Sequence, residues 1–260
     1  TTDGTMQRRW LMADGRPECK PFLPHEFATR RADLGLLDYS SLPVRGTTMD
    51  DFDPIERIRL RQLIEKYHGD RALLELSDSA LDGALGLVRR DDALSVPTVT
   101  GLLLLGREEA LRRHLPTHEV AFQVLDELEV RVNDFYRTPL LKTFERVLAQ
   151  LSARVEEEEL NVGLFRVPVP SIDRHAFREA LVNALTHRDY TRLGAVHVQW
   201  TREALSVSSP GGFPEGVRPD NLLVVDPTPR NPVLADAFKR IGLAERTGRG
   251  VDIIYKGLLQ

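Results

Sequence analysis

Apolar positions recur at helical spacing in several stretches of the chain. Ile55, Ile58, Leu60, Leu63 and Ile64 predict a helix from Pro54 to about His68, with Pro54 suited to its first turn. Ser77 can cap a second helix running through Leu87, and residues 95–105 follow it. Thr138 and Pro139 open a long helix to about Glu158, with Leu140, Leu141, Phe144, Val147, Leu148 and Leu151 as its apolar set and the acidic run 156–159 as its solvated end. Ser171 or Asp173 can cap a helix reaching His187, and Arg230 to Gly242 reads as a helix stopped by Gly242. Strict alternation predicts strands at 119–125, 195–200 and 204–208, the last two joined as a hairpin. Near the start, 10–12 and 19–22 flank the hairpin-like turn Asp14-Gly15. Pro17, Pro21 and Pro24 forbid a long helix there. Residues 33–39 then lead into a loop around Gly46, and no internal repeat appears.

Composition narrows the class. The chain has 260 residues, 42% hydrophobic and 28% charged, enough to bury a core as one large or two modest domains. Its longest apolar stretches, such as Leu102 to Leu105, fall far short of the ~20 residues a membrane span needs, so no membrane partner is expected. One cysteine, Cys19, excludes a disulfide framework or a thiolate cluster and points to a reducing, cytoplasmic setting. The net charge of −4 excludes a bulk polyanion binder, so nucleic acid would have to meet a local patch or parts outside these residues. The chain opens on Thr1 and stops at Gln260 within a helical pattern, and a segment of a longer protein is the expectation. Arg57 and Arg61 lie one turn apart. Ion pairing with neighbours such as Glu56 and Glu65 is the stronger reading there, and a phosphate contact the weaker.

The chemistry lies in the last ninety residues. On the helix from Ser171 to His187, Ala176, Phe177, Ala180, Leu181, Val182, Ala184 and Leu185 take most of the circumference. Glu179 and Asn183, four apart, fall in the remaining gap, and His187 continues their line. A polar stripe on a buried helix needs a partner: either a satisfied structural network or a ligand cleft. Asn supplies a neutral oxygen for Mg2+, and a Glu one turn earlier can orient or deprotonate water. Arg178 is a misfit on the apolar side. Gly211 and Gly212 follow the second hairpin strand, where a backbone can turn closely against a ligand. Gly248 and Gly250, flanked by Arg246 and Arg249, open into a helix whose free N–H groups suit an anion.

Taken in order, a Glu-x-x-x-Asn helix, a strand ending in a Gly-Gly turn, a variable segment and Gly-x-Gly before a helix resemble the Bergerat ATP-binding fold of the GHKL superfamily, which includes gyrase, histidine kinases and MutL. The runs FREALVNALTHRDY (177–190), SPGGFP (209–214), RNP (230–232) and ERTGRG (245–250) resemble more closely a bacterial and archaeal family of ATP-binding transcriptional regulators related to RecG, whose members carry Schlafen-type AlbA-like DNA-binding domains and often a winged helix. The likeness is specific over about 171–256. It implies an α+β fold: a C-terminal Bergerat-type α/β sandwich of helices on a mixed sheet, preceded by a smaller mixed α/β N-terminal region. The corresponding division is a Schlafen-type tail at 1–50, a small mixed or winged-helix-like region at 51–130, and the ATP-binding domain at 131–260.

By the same resemblance, Glu179 would activate water and Asn183 would bind Mg2+. Gly211 and Gly212 would line the adenine side, and Gly248 and Gly250, with Arg246 and Arg249, would meet phosphates. Ser208 stands where the superfamily usually has an Asp that accepts from the adenine amino group. His187-Arg188-Asp189 spells the kinase catalytic triplet, but no Asp-Phe-Gly follows. A lid or phosphate contact and a purely structural role both stay open for it. The implied function is an ATP-binding module of a transcriptional regulator, with Mg-ATP as switch and slow or no hydrolysis. DNA would be bound through domains outside the fragment, and a homodimer is an expected partner. The alternative is a degenerate fold serving as a dimerisation scaffold without nucleotide. A sensor kinase ranks behind both for want of a phosphoacceptor helix, and helicase activity last for want of a P-loop.

Overall fold

Asp53 and Pro54 begin α1 (Pro54–Lys66) as their chemistry requires: the Asp53 carboxylate accepts the Ile55 N–H at 2.9 Å, and Pro54 needs no such partner. The computed structural model describes residues 7–12, 16–21, 30–31, 34, 36–91, 94–126, 129–155, 157–162, 165–213, 217–218, 221, 224, 228–245 and 254. α1 buries Glu56, Leu60, Leu63 and Ile64. Ile55 and Ile58, expected on that face, are 64% and 58% exposed. The buried line runs i, i+4, i+7, i+8 from Glu56, whose carboxylate is held by Arg59 at 2.9 Å, so a polar residue replaces Ile55 on the inner face.

Arg57 and Arg61 are ion-paired, but their acids come from α2 (Asp78–Ala84) rather than from Glu56 and Glu65. Arg57 meets Asp82 at 2.5 Å and Arg61 meets Asp78 at 2.8 Å. Ser77 caps α2 as expected, although the helix ends at Ala84. At the start of the chain, β1 (Gln7–Leu11) and β2 (Pro17–Pro21) form an antiparallel hairpin, while Asp14 and Gly15 lie outside the described residues. A second hairpin, β3 (Val88–Asp91) and β4 (Leu94–Pro97), leads into α3 (Val99–Leu105), which is buried along its whole length, and then α4 (Glu108–His114).

The main sheet has the order β10-β9-β5-β6, from β5 (Val120–Asp126), β6 (Glu129–Tyr136), β9 (Val196–Trp200) and β10 (Leu205–Ser208). β5 and β9 are parallel and the other pairs antiparallel. The division expected near residue 130 falls inside β6. β5, from before it, is bonded to β9, from after it, and one hydrophobic core runs from Phe52 to Leu243. Between these strands lie α5 (Leu140–Ser152), the hairpin β7 (Glu157–Val162) with β8 (Phe165–Pro170), and α6 (Arg174–His187). The long helix thus ends at Ser152, and Glu157 to Glu159 are strand residues opposite Pro168, Val169 and Pro170. The acidic run reads as a helix end only while its strand partner, several residues downstream, is unknown. The observed class is the expected one, α+β with helices laid on a mixed sheet.

α6 packs on β9 and β10 and against α7 (Pro232–Ile241); α1 packs against α5 and α7. Gly242 stops α7 at φ 91°, and a Cβ there would stand 2.5 Å from the Tyr67 carbonyl, so the position demands glycine. The start of α7 is capped from far away. Asp38 accepts the Val233 N–H at 3.0 Å and the Ser40 hydroxyl accepts the Leu234 N–H at 3.3 Å, while Asn231 at the cap position gives no cap bond. Residues 38–40 are thereby packed against the start of α7.

Candidate functional site

α6 is positioned by Asp173, which accepts the His175 and Ala176 N–H groups at 2.7 and 2.9 Å. Phe177, Leu181, Val182 and Leu185 anchor it in the core. The stripe Glu179, Asn183, His187 lies in the gap between these apolar positions. Glu179 is 3% exposed, and Asn183 and His187 are half-buried. Glu179 accepts the Glu245 N–H at 3.4 Å, a long bond. Burial pushes its pKa up, and that N–H and the nearby Arg178 and His175 pull it back. Asn183 and His187 make no hydrogen bond among the described residues. Burial, then the Arg230 charge, holds the His187 imidazole below its usual range, so it is neutral at pH 7.

The stripe runs between the two glycine-containing segments. Its Glu179 end meets Glu245, the first residue of the ERTGRG run. Its His187 end feels Arg230, whose Nη2 donates to the Gly212 carbonyl at 2.8 Å. Gly211 adopts φ 118°, and a Cβ on it would sit 3.2 Å from the Asp189 Cβ. Arg246, Gly248, Arg249 and Gly250 lie outside the described residues. Ser208 closes the edge strand β10 opposite His197 and is exposed.

The triplet after the stripe divides in two. Arg188, 1% exposed, donates to the Gly194 carbonyl at 2.6 Å and to the carbonyls of Thr117 and Asp189, with its guanidinium 4.8 Å from the Tyr190 ring centre. Asp189 accepts from Thr191 N–H and Oγ1 at 3.0 and 2.6 Å, pairs with Arg192 at 2.9 Å, and its own N–H donates to the Pro210 carbonyl at 2.8 Å. These two residues are a structural corner that seats the Gly211 turn. His187 remains on the stripe. Sequence reasoning also gave no role to Asn231, whose Nδ2 donates to the carbonyls of Thr186 and Arg188, both at 2.8 Å. The RNP run therefore ties the start of α7 to the end of α6; its only sequence signal was membership of the motif set. Among the described residues no three His, Cys, Asp or Glu side chains gather into a metal cluster. Asn183 suits an ion that takes most of its ligands from phosphates and water, as Mg2+ does.

Residues 194–260 match the family model described as "Putative ATP-dependent DNA helicase recG C-terminal". This part of the chain is similar to an ATPase-like, RecG-related region. Residues 30–121 match a domain of unknown function, DUF8451. Among solved structures, the crystal structure of the DIP2311 protein from Corynebacterium diphtheriae is similar at 26% identity and TM-score 0.69, over 97% of this chain and 48% of that one. The chain thus spans about half the length of that relative. No curated protein matches it. Among the described residues no helix is long and apolar enough to cross a membrane.

Proposed function

We propose that this chain is the ATP-binding module of a DNA-binding transcriptional regulator, in which Mg-ATP acts as a conformational switch with slow or no hydrolysis. The observation that carries the reading is the stripe on α6. Its carboxylate is buried, its half-buried amide and imidazole make no hydrogen bond among the described residues and so are open to a ligand, and the line spans the distance between the Gly211–Gly212 turn and the start of the ERTGRG run. In this reading Asn183 would hold Mg2+ through its amide oxygen, and the ion would supply positive charge to the phosphates. Glu179, its pKa raised, takes a proton from water attacking the terminal phosphorus. Gly248 and Gly250 meet the phosphates with backbone N–H groups, aided by Arg246 and Arg249. Ser208, Gly211 and Gly212 border the base. Sequence-specific DNA contact is assigned to segments outside these residues.

The test is magnesium-dependent binding of ATP, ADP and GTP, followed by thermal shift. Asn183→Ala is expected to fold as wild type and lose the Mg-ATP shift. An undiminished shift would remove Asn183 from the site. A second reading has one observation in its favour. Ser208 is exposed at a sheet edge, and the nearby carboxylate, Asp189, is consumed by Thr191 and Arg192. With the carboxylate beside this turn engaged, a scaffold that dimerises without nucleotide would explain the same turn. Sedimentation of a nucleotide-blind dimer would favour it.

A further inference from the structure

A groove of about 770 Å3 opens on the face of α6 away from the stripe, between α1, α5 and α6. It is lined by Lys66, Lys142, Arg146, Arg174 and Arg178, and among the described residues its lining holds a single carboxylate, Glu145. Arg59, also in its wall, shares Glu145 and is bonded to Glu56. Lys142 is paired with Glu108 at 2.9 Å and Lys66 lies 3.6 Å from Glu145. Arg146, Arg174 and Arg178 have no ion pair among the described residues. On a chain of net charge −4, this is a local excess of positive charge.

The geometry favours one kind of guest. Lys142 and Arg146 stand one turn apart on α5, and Arg174 and Arg178 one turn apart on α6. Such i, i+4 neighbours are roughly 5–6 Å apart at Cβ, so the groove has two cationic rungs facing each other. Arg146 lies 5.8 Å over the Tyr136 ring and Arg178 5.4 Å over Tyr67. A guanidinium seated by its face on a ring keeps its N–H edge for an oxyanion and loses little freedom on binding. The Arg178 Nε is buried with no hydrogen-bond partner. Arg174 and His175 sit in the first turn of α6, which holds no acidic residue after the Asp173 cap, so the helix dipole adds to the positive field and these cations cost stability unless an anion answers them.

We propose that this groove is a second anion site, separate from the stripe, that takes two or more consecutive phosphates of a polyanion. A carboxylate can meet one guanidinium edge bidentately as a phosphate can, but a lone carboxylate offers nothing to the facing rung, whereas consecutive phosphates place an anion on each. The phosphates can belong to free polyphosphate or to a nucleic-acid backbone, and two probes separate these sources: inorganic tripolyphosphate and a 12-nucleotide oligo-dT labelled for anisotropy. Titrations are made on the 260-residue chain at low salt without Mg2+. At least one probe is expected to bind with sub-millimolar affinity. The double variant Arg146→Ala/Arg174→Ala, both positions exposed, should weaken it tenfold or more and lower the salt slope by about 1.4 for the single-stranded oligonucleotide. Arg146→Lys/Arg174→Lys should recover part of the loss. Tripolyphosphate alone binding identifies a compact ligand, and oligo-dT binding a nucleic-acid strand. The proposal is overturned if neither probe binds, or if the alanine variant, shown folded by its melt, binds as wild type, which would move the anion to another part of the chain.

Discussion

Acid should loosen the corner that seats the candidate site, and His118 is the group through which it acts. His118 is fully enclosed, 2% exposed, with Nε2 2.8 Å from the Thr138 carbonyl and Nδ1 without a hydrogen-bond partner. Burial is the largest influence on it, and the charges of Arg188 and Arg137 act in the same direction, lowering its pKa from 6.5 to about 4. The ring is therefore neutral with its proton on Nε2 in the folded state. The unfolded chain picks up a proton below pH 6.5 while the folded chain does not, so stability is intact above 6.5 and is lost as pH falls toward 4. At about 1.4 kcal/mol per pKa unit, the full loss is roughly 3 kcal/mol, with about 2 kcal/mol gone by pH 5. The neighbouring Thr117 carries the consequence to the site: its carbonyl accepts from Arg188 and its hydroxyl donates to the Tyr190 carbonyl at 2.6 Å. The assay is urea unfolding of wild type and His118→Gln from pH 8 to 4.5. Gln can still donate to Thr138 but does not titrate, so the buried carboxyl groups with raised pKa values, Glu56, Asp82 and Glu179, affect both proteins alike. The gap between the two curves should shrink by about 2 kcal/mol between pH 8 and 5. Parallel curves would show that His118 is not the acid-sensitive group.

Other outcomes follow from single contacts. Asp38→Ala removes the remote cap of α7 and should cost about 1–2 kcal/mol in a thermal melt, although residue 38 lies nearly two hundred positions away in sequence; an unchanged melting temperature would leave the cap without energetic weight. Arg188→Met strips the carbonyls of Thr117, Gly194 and Asp189 of their donor and should cost about 3 kcal/mol or more, measured by denaturant midpoint; a loss below 1 kcal/mol would mean water replaces it. Glu179→Gln should retain ATP binding while turnover, where wild type shows any, drops ~10²–10⁴-fold; equal turnover makes Glu179 structural.

Local chemistry was readable along the chain. Asp53, Ser77 and Asp173 cap helices because a short polar side chain bonds an N–H two or three residues on, and Gly242 stops α7 because only its own φ must turn positive. Alternation exposed β5, β9 and β10, and the 3.6-residue period isolated the stripe of Glu179, Asn183 and His187. Interactions whose partners are distant in sequence were not readable. The run 156–159 carries no sign that Pro168 to Pro170 will pair with most of it, and nothing in Asp38 foretells Val233. Arg57 and Arg61 look outward until α2 brings Asp78 and Asp82 to them. The same holds for the site. The spacing on α6 fixes which side chains share a line, since that follows from one helix alone. That Glu245 and Arg230 stand at its two ends, that the Asp189 N–H holds the Pro210 carbonyl beside Gly211, and that the opposite face of α6 joins α5 in a cationic groove depend on how the helices and the sheet pack, and packing is a property of all the elements at once.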